Sequence, residues 1–181
     1  MAKLTTAALA AHELGLAATF GGIIFGQTGL NASAKAISSP DERSKVMDVA
    51  WKAFAIPKTV GLITTAATWL IGRSMFSGRY LGRDLRRLVL AKDIALGITV
   101  ASGLGTQYVG RLISAEQPFP TDADGEPSPG APERTRQLVH TVSLLGMVQM
   151  IAAGAALALT SALNIQGARS ARWAAVSRFL P

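Results

Sequence analysis

The sequence predicts an all-α integral membrane protein, with four transmembrane helices in a bundle and both termini in the cytoplasm. Two observations support this fold class: four long apolar stretches, and an unequal distribution of charge among the segments that connect them. Of the 181 residues, 49% are apolar, and the mean hydropathy is +0.32. The hydrocarbon core of a bilayer is about 30 Å thick, so a spanning helix needs about 20 apolar residues. A soluble helical protein would show a polar face on each helix, and these stretches do not.

Each of the four spans is a run of mostly apolar residues with few charges. The first is free of charge from Leu14 onward, and the fourth contains no ionisable residue except His140. Pro57 interrupts the second span, and we expect it in the first turns of that helix, where a missing amide donor costs little. The predicted spans are residues 4–34, 53–72, 88–110 and 138–168.

The connections between the spans predict the orientation, because Lys and Arg in short loops stay on the cytoplasmic side. The second connection carries five arginines and one acid, Asp84, whereas the first and third connections mix both signs. Lys3 and three arginines of the C-terminal tail add positive charge to the same side. We therefore predict a multi-pass protein of the plasma (inner) membrane, N-in and C-in, and the Ala-, Gly- and Arg-rich composition suggests a bacterial one. The five arginines are Arg73, Arg79, Arg83, Arg86 and Arg87.

The third connection contains the main shift in composition. Residues 117–136 are rich in proline and also hold Gly125 and Gly130, so they cannot form a regular helix or a central strand. On its own, such a segment is expected to be a mobile external loop. No internal repeat is evident, and a single four-helix membrane domain is predicted for residues 1–181.

The charge and the motif content exclude several functions. The positive net charge of +7 is concentrated at the ends of the spans, where topology and anionic headgroups account for it, so nucleic-acid binding is not expected. The absence of cysteine excludes disulfides and thiolate metal sites. The sequence has no HExxH motif, glycine-rich phosphate loop or Ser-His-Asp order, so an enzyme is not favoured. The expected partners are the lipid bilayer and other membrane protein subunits.

Small residues recur at four-residue spacing in three of the spans. Lipid tails are as apolar as Leu, so helices in a bilayer associate largely through close backbone contact at such positions. A tight bundle and an oligomer interface would both use these faces, although Ala- and Gly-rich helices also produce this spacing by chance. The residues are Ala18, Gly22 and Gly26; Gly97, Ala101 and Gly105; and Gly154, Ala158 and Ala162.

Ionisable residues inside the spans are costly, so each is a candidate for a functional site. Depth along the helices, at about 1.5 Å per residue, separates them into two groups. Lys58, Lys92 and Arg111 can also snorkel to the headgroups, and this alternative is favoured for Lys92 and Arg111. For His140, the alternative is an ordinary interfacial position. Gln27 and Gln149 are expected to form hydrogen bonds between helices. The inner group is His12, Glu13, Lys92 and Asp93, and the outer group is Lys58, Gln107, Arg111 and His140.

The first span carries a resemblance to a known family. The run His12-Glu13-Leu14-Gly15, followed by Gly21-Gly22, resembles the first helix of the CopD-like membrane families. The resemblance covers this span only. It implies a small helical membrane protein and, for some relatives, copper handling or porphyrin oxidation with a His and a Lys within the membrane.

Three functional hypotheses follow. The leading one is a non-catalytic accessory or structural subunit of a larger integral membrane complex, based on the small-residue faces and the missing catalytic motifs. The second is a haem- or metal-associated redox or transport protein that uses His12, Glu13, Lys58, Asp93 or His140. Because the two histidines are predicted near opposite membrane faces, a haem b with one His ligand is favoured over one held by both. The third, a proton- or ion-coupled carrier built on the inner carboxylates, is less favoured because the spans show neither a repeat nor broken helices.

Overall fold

The computed structural model is helical through most of the part of the chain that it describes. It describes residues 2–75, 83–122 and 124–176, with side chains for residues 7–72, 85–122 and 124–166. The helices, in chain order, are α1 (Ala2–Phe25), α2 (Asn31–Ala34), α3 (Pro40–Met75), α4 (Arg83–Ala115) and α5 (Glu133–Val176). A π-helical segment, Gly26–Leu30, joins α1 to α2, so the first two helices form one continuous rod.

Four helices within the described residues are long and apolar enough to cross a membrane, as the sequence predicts. The apolar segments are Ala7–Ala34, Pro40–Gly72, Leu85–Ala115 and Glu133–Gln166. Three of them begin or end well beyond the predicted spans. Of the second connection, residues 76–82, which include Arg79, lie outside the described residues, as does the C-terminal Arg178. Arg73 belongs to α3, and Arg83, Arg86 and Arg87 belong to α4.

The second span shows the largest difference from its predicted bounds. Its helix, α3, begins at Pro40 and not near residue 53, because residues 40–52 are helical although they are rich in charge. Pro57 therefore lies inside α3, and the expectation that it marks the first turns of this helix is wrong. An internal proline cannot donate a hydrogen bond to the carbonyl four residues earlier, which here belongs to Ala53.

The long helices pack in antiparallel pairs. Along the contact between α1 and α3, Gly15 faces Gly61, Gly22 faces Phe54, and Gly26 faces Trp51, so each step forward on α1 is a step back on α3. Both α4 and α1 pack on α5, whereas α3 and α4 share a sparser contact. Apolar side chains of α1, α4 and α5 form the buried core at Leu16, Ala95, Leu96 and Ala156.

Glycines of α1 and of the π-helical segment allow a close approach to α3. A Cβ atom built on Gly15 would lie 2.6 Å from the carbonyl oxygen of Gly61, and one built on Gly61 would lie 2.9 Å from that of Gly15. Gly22 and Gly26 instead leave room for the rings of Phe54 and Trp51, which a Cβ would meet at 2.1 and 2.2 Å. The α1–α3 pair is thus held by close backbone packing, as expected for membrane helices.

The proline-rich third connection packs on the start of α3 and on residues just before it. We call the assembly of residues 34–48 with residues 114–135 the loop cap. Phe119 and Ala131 are buried in it, and the Thr121 hydroxyl donates to the carbonyl of Pro40 at 3.1 Å. The segment predicted to be mobile on its own is therefore fixed by contacts within the chain. Residues 133–136, predicted as part of this loop, belong to α5.

Arg43 lies at the centre of the loop cap. Its side chain is only 6% exposed, and its guanidinium donates to the carbonyls of Ala34, Ile37 and Thr121 at 3.1, 2.5 and 2.8 Å. Ser44 donates to Gln117 at 2.5 Å beside it. These bonds satisfy loop carbonyls that would otherwise be buried without a donor, and they tie three segments together.

Candidate functional site in the polar seam

Polar side chains bridge the sparse contact between α3 and α4 at both ends. We call this line of residues the polar seam. One end is formed around Trp69, near His12, and the other around Lys58, near the loop cap. Between the two ends lie the buried hydroxyls of Thr65, Thr99 and Ser102, each of which accepts or donates within its own helix or to α1. Buried polar groups in a membrane helix pair need such partners, because no water is available in the hydrocarbon.

Trp69 organises the first end of the seam. The ammonium of Lys92 lies 4.1 Å from the centre of its ring, a cation–π contact, and the Trp69 indole donates to Asp93 Oδ1 at 2.7 Å. Lys92 is 2% exposed, so its charge faces the protein and not the headgroups. The structure therefore buries the Lys92 ammonium between helices and does not extend it to the headgroups, as snorkelling would.

His12 approaches the same tryptophan from α1. Its Nδ1 lies 3.0 Å from the carbonyl oxygen of Thr65 and 3.2 Å from the Thr68 hydroxyl, and its ring centre is 5.9 Å from that of Trp69. Since a carbonyl oxygen can only accept, Nδ1 carries the proton, and Nε2 has a free lone pair. Nε2 is buried and has no hydrogen-bond partner in the part of the chain that the structure describes.

Glu13 lies beside this end but faces another way. Its carboxylate accepts a hydrogen bond of 2.7 Å from Asn164 of α5, and it borders a groove of about 470 Å³ between α1 and α5. Its charge and that of Asp93 both act on Lys92. The structure thus brings the predicted inner group of four residues to one end of the helices, with Trp69 between His12 and Lys92.

The second end of the seam contains Lys58. It is 8% exposed, and its ammonium donates to the Thr106 hydroxyl at 2.6 Å. One residue further along both helices, Gln107 donates to the Thr59 hydroxyl at 2.7 Å. These two hydrogen bonds cross from α3 to α4.

Gln149 of α5 reaches the same region and was expected to bond to a neighbouring helix. Its side chain is completely buried, yet neither its Nε2 nor its Oε1 has a hydrogen-bond partner among the described residues. A Cβ built on Gly103 would lie 2.6 Å from this Nε2 and 2.6 Å from Leu62. Gly103 therefore provides the space that the amide occupies.

Other predicted residues lie away from the seam. Arg111 and His140, placed by depth in the outer group, are exposed on the surface of the described chain. Gln27 accepts a local hydrogen bond of 3.4 Å from Asn31. Among the small residues, Gly154 faces Phe20 and Gly105 faces Leu145 across helix contacts, whereas Gly97 has open space beside it. Ala18, Ala101 and Ala158 are exposed, and Ala162 is half-buried.

Sequence reasoning overlooked two important side chains. Trp69 stands near the end of a predicted span, where tryptophan usually marks the membrane interface, so its central position was not expected. Arg43 lies in a charged segment outside the predicted spans. The signal for Trp69 was its spacing: it lies four residues after Thr65 and so shares the same face of the helix.

The side chains of the described residues limit which metal or haem sites this protein could form. No group of three or more His, Asp or Glu side chains within the described residues could hold a metal ion. A haem needs fewer protein ligands, and the unpartnered Nε2 of His12 has the chemistry of an axial ligand. No family model, curated protein or solved structure matches this chain.

Proposed function

We propose that this protein is a non-catalytic subunit of a larger integral membrane complex, a four-helix bundle in a bacterial plasma membrane with both termini in the cytoplasm. The observation that carries the proposal is a small-residue patch on the surface of α4. Gly97 and Ala101 are one turn apart and exposed, and a Cβ on Gly97 would meet no atom within 4 Å. Larger exposed apolar residues, Ile94, Ile98 and Leu104, surround them.

Glycine at position 97 lowers the stability of the helix, and no contact with the described residues offsets this. Glycine weakens a helix by about 1 kcal/mol relative to alanine. Gly15, Gly22 and Gly26 each have a neighbouring helix or ring beside them, whereas no atom of the described residues fills the space beside Gly97. A helix from another subunit, approaching the α4 backbone at Gly97 and Ala101, would use the space in the way that membrane helices commonly do.

The test is assembly in the native membrane. The chain should co-purify with other membrane subunits in mild detergent, and Gly97→Leu should release it from the assembly. Gly110→Leu is the matched control, because Gly110 has the same open space on the same helix but lies more than two turns beyond the patch of Gly97 and Ala101. Recovery of a monomer only, or equal assembly by both variants, would contradict the proposal.

The proposed orientation has its own test. The chain contains no cysteine, so single cysteines can be introduced at Ser38 and Ser128, on the side of the loop cap. A membrane-impermeant maleimide should label both in intact spheroplasts. Labelling only after the membrane is opened would reverse the orientation.

A second candidate is a haem-associated redox protein, and the geometry of His12 favours it. In metal-binding histidines the nitrogen that is not the ligand usually donates to a carbonyl or carboxylate. His12 has this arrangement, with Nδ1 at 3.0 Å from the Thr65 carbonyl and Nε2 free. Purified protein should then show a Soret band that His12→Ala abolishes and Ser38→Ala does not. A spectrum without a Soret band would exclude this candidate.

A further inference from the structure

We propose that the Lys58 end of the polar seam is a binding site for one small monovalent anion of halide size, held between α3, α4 and α5. The site consists of the Lys58 ammonium, the Gln149 amide and the turn of α4 from Gly103 to Thr106. This inference concerns the interior of the molecule and does not depend on the proposed role as a subunit.

The first argument is charge. Lys58 belongs to a segment that is long and apolar enough to cross a membrane, and it is 8% exposed. Its hydrogen-bond partner, Thr106, is neutral, and no acidic side chain of the described residues pairs with it or perturbs it. A buried charge without a partner is strongly unfavourable in such a setting. An anion beside the ammonium removes this penalty.

The contrast with Lys92 supports the argument. That lysine is also buried, at 2% exposure, and lies on the same seam, but it has the Trp69 ring at 4.1 Å and the charges of Glu13 and Asp93 acting on it. Its environment already supplies the negative potential that an ammonium needs. Lys58 lacks both kinds of partner, an aromatic ring and an acidic charge, in the described part of the chain.

The second argument is the surplus of hydrogen-bond donors. An ammonium has three donors, and one of those on Lys58 is used by Thr106. The Gln149 amide adds two more N–H groups in the same region, and within the described residues no acceptor meets them. The Thr106 hydroxyl donates its proton to the Gly103 carbonyl at 2.8 Å, so it does not donate to the anion. Buried polar groups are normally satisfied, and unsatisfied donors in a cluster call for an acceptor.

The shared turn of α4 brings these donors near one another. Lys58 contacts Thr106, whereas Gln149 Nε2 lies against Gly103, three residues earlier. Three residues correspond to about 4.5 Å along a helix axis. A Cβ built on Gly103 would lie 2.6 Å from both the Gln149 amide nitrogen and Leu62, so the helices are closely packed here. Such packing leaves room for at most a small anion such as a halide, and not for a phosphate or an organic acid.

The test uses the full-length protein, purified in an uncharged detergent in a buffer whose anion is gluconate. Chloride is added at constant ionic strength, and binding is followed by the line width of the chloride-35 NMR signal. We expect saturable broadening that inorganic phosphate does not reverse. Lys58→Met should abolish it, and Gln149→Leu should weaken binding at least tenfold. Lys92→Met is the control and should retain binding within about twofold.

Each alternative outcome decides the question. Absent or non-saturable broadening in the wild-type protein overturns the site, and so does equal broadening in the wild type and in Lys58→Met. Reversal by phosphate overturns the size argument and points to a lipid phosphate at Lys58. If Lys58→Met does not fold, Gln149→Leu and Lys58→Arg decide instead. Gln149→Leu must lose affinity for chloride, and Lys58→Arg, which keeps a positive charge, must still bind it.

Discussion

Two buried cations, Arg43 in the loop cap and Lys58 in the polar seam, have nearly the same exposure and very different surroundings. Arg43 is 6% exposed and donates to three backbone carbonyls in two segments, residues 34–37 and the third connection. Lys58 is 8% exposed and donates to one hydroxyl. The planar guanidinium suits several fixed acceptors, whereas an ammonium is a compact point charge.

The difference separates a structural role for Arg43 from the anion-binding role proposed for Lys58. The partners of Arg43 are complete, so its charge serves to join the loop cap. Lys58 has one hydrogen-bond partner among the described residues, which is too few for a charge inside a membrane helix pair. A buried charge therefore indicates function only after its partners have been counted.

The largest loss of stability is expected for Arg43→Met. Arg43→Met leaves three buried carbonyls without their donor, and each such group costs about 1–3 kcal/mol. We expect the protein to lose about 3 kcal/mol of stability or more, and residues 117–132 to become sensitive to protease. Denaturation by SDS and limited proteolysis measure the two effects.

Two further variants sharpen this prediction. Arg43→Lys should fail to restore stability, because one ammonium cannot reach three carbonyls in a fork. Lys45→Met, an exposed neighbour on the same helix, should change stability by less than about 0.5 kcal/mol. A loss of the same size at both positions would mean that charge at the start of α3, and not the loop cap, is responsible.

The next largest loss of stability is expected at the α1–α3 contact, which is held by close packing and not by polar bridges. Gly15→Ala places a methyl group 2.6 Å from the Gly61 carbonyl oxygen, so the helices must separate. We expect a loss of about 1–3 kcal/mol. Gly21→Ala, on the same helix with open space beside it, should be neutral or gain up to about 1 kcal/mol. Equal effects in SDS denaturation would contradict the close contact.

The smallest effect is expected at the rim of the loop cap. The Lys35 ammonium, 2.6 Å from Asp124, hydrogen-bonds to that carboxylate and lowers its pKa. A lowered pKa contributes stability above the usual pKa of an aspartate, and this contribution is lost as the pH falls through the lowered value. Because both side chains are exposed, Asp124→Asn should scarcely change stability at pH 7.

An NMR titration of the Asp124 carboxylate checks the direction of this shift. Lys35→Met should return the pKa to the ordinary value of about 3.9. An unchanged pKa in that variant would show that the ion pair does not form in solution.

The sequence predicted the four apolar helices because long runs without charge have few alternative explanations. It did not predict that α3 begins at Pro40. Residues 40–52 are charged and lie outside the hydrocarbon by composition, so hydropathy alone cannot show that they continue the helix. The position of Pro57 inside α3 was missed for the same reason.

For the candidate site, depth along the helices was informative and direction around them was not. His12, Lys92 and Asp93 were expected at one level, and they lie near one another. Arg111 was expected beside Lys58 by the same argument, but it points to the surface. A rotation of 100° per residue decides which side chains face inward, and long Ala- and Gly-rich runs give little sign of that rotation.

The central claim is that the buried charge of Arg43 has enough hydrogen-bond partners in its own chain and that of Lys58 does not. It is tested most directly by the stability of Lys58→Met beside Arg43→Met in halide-free buffer. Removing an unpaired buried charge should leave the stability of Lys58→Met equal to or above that of the wild type, whereas Arg43→Met loses about 3 kcal/mol or more. A comparable loss in both variants would contradict the account, because Lys58 would then be as well satisfied by its own chain as Arg43 is.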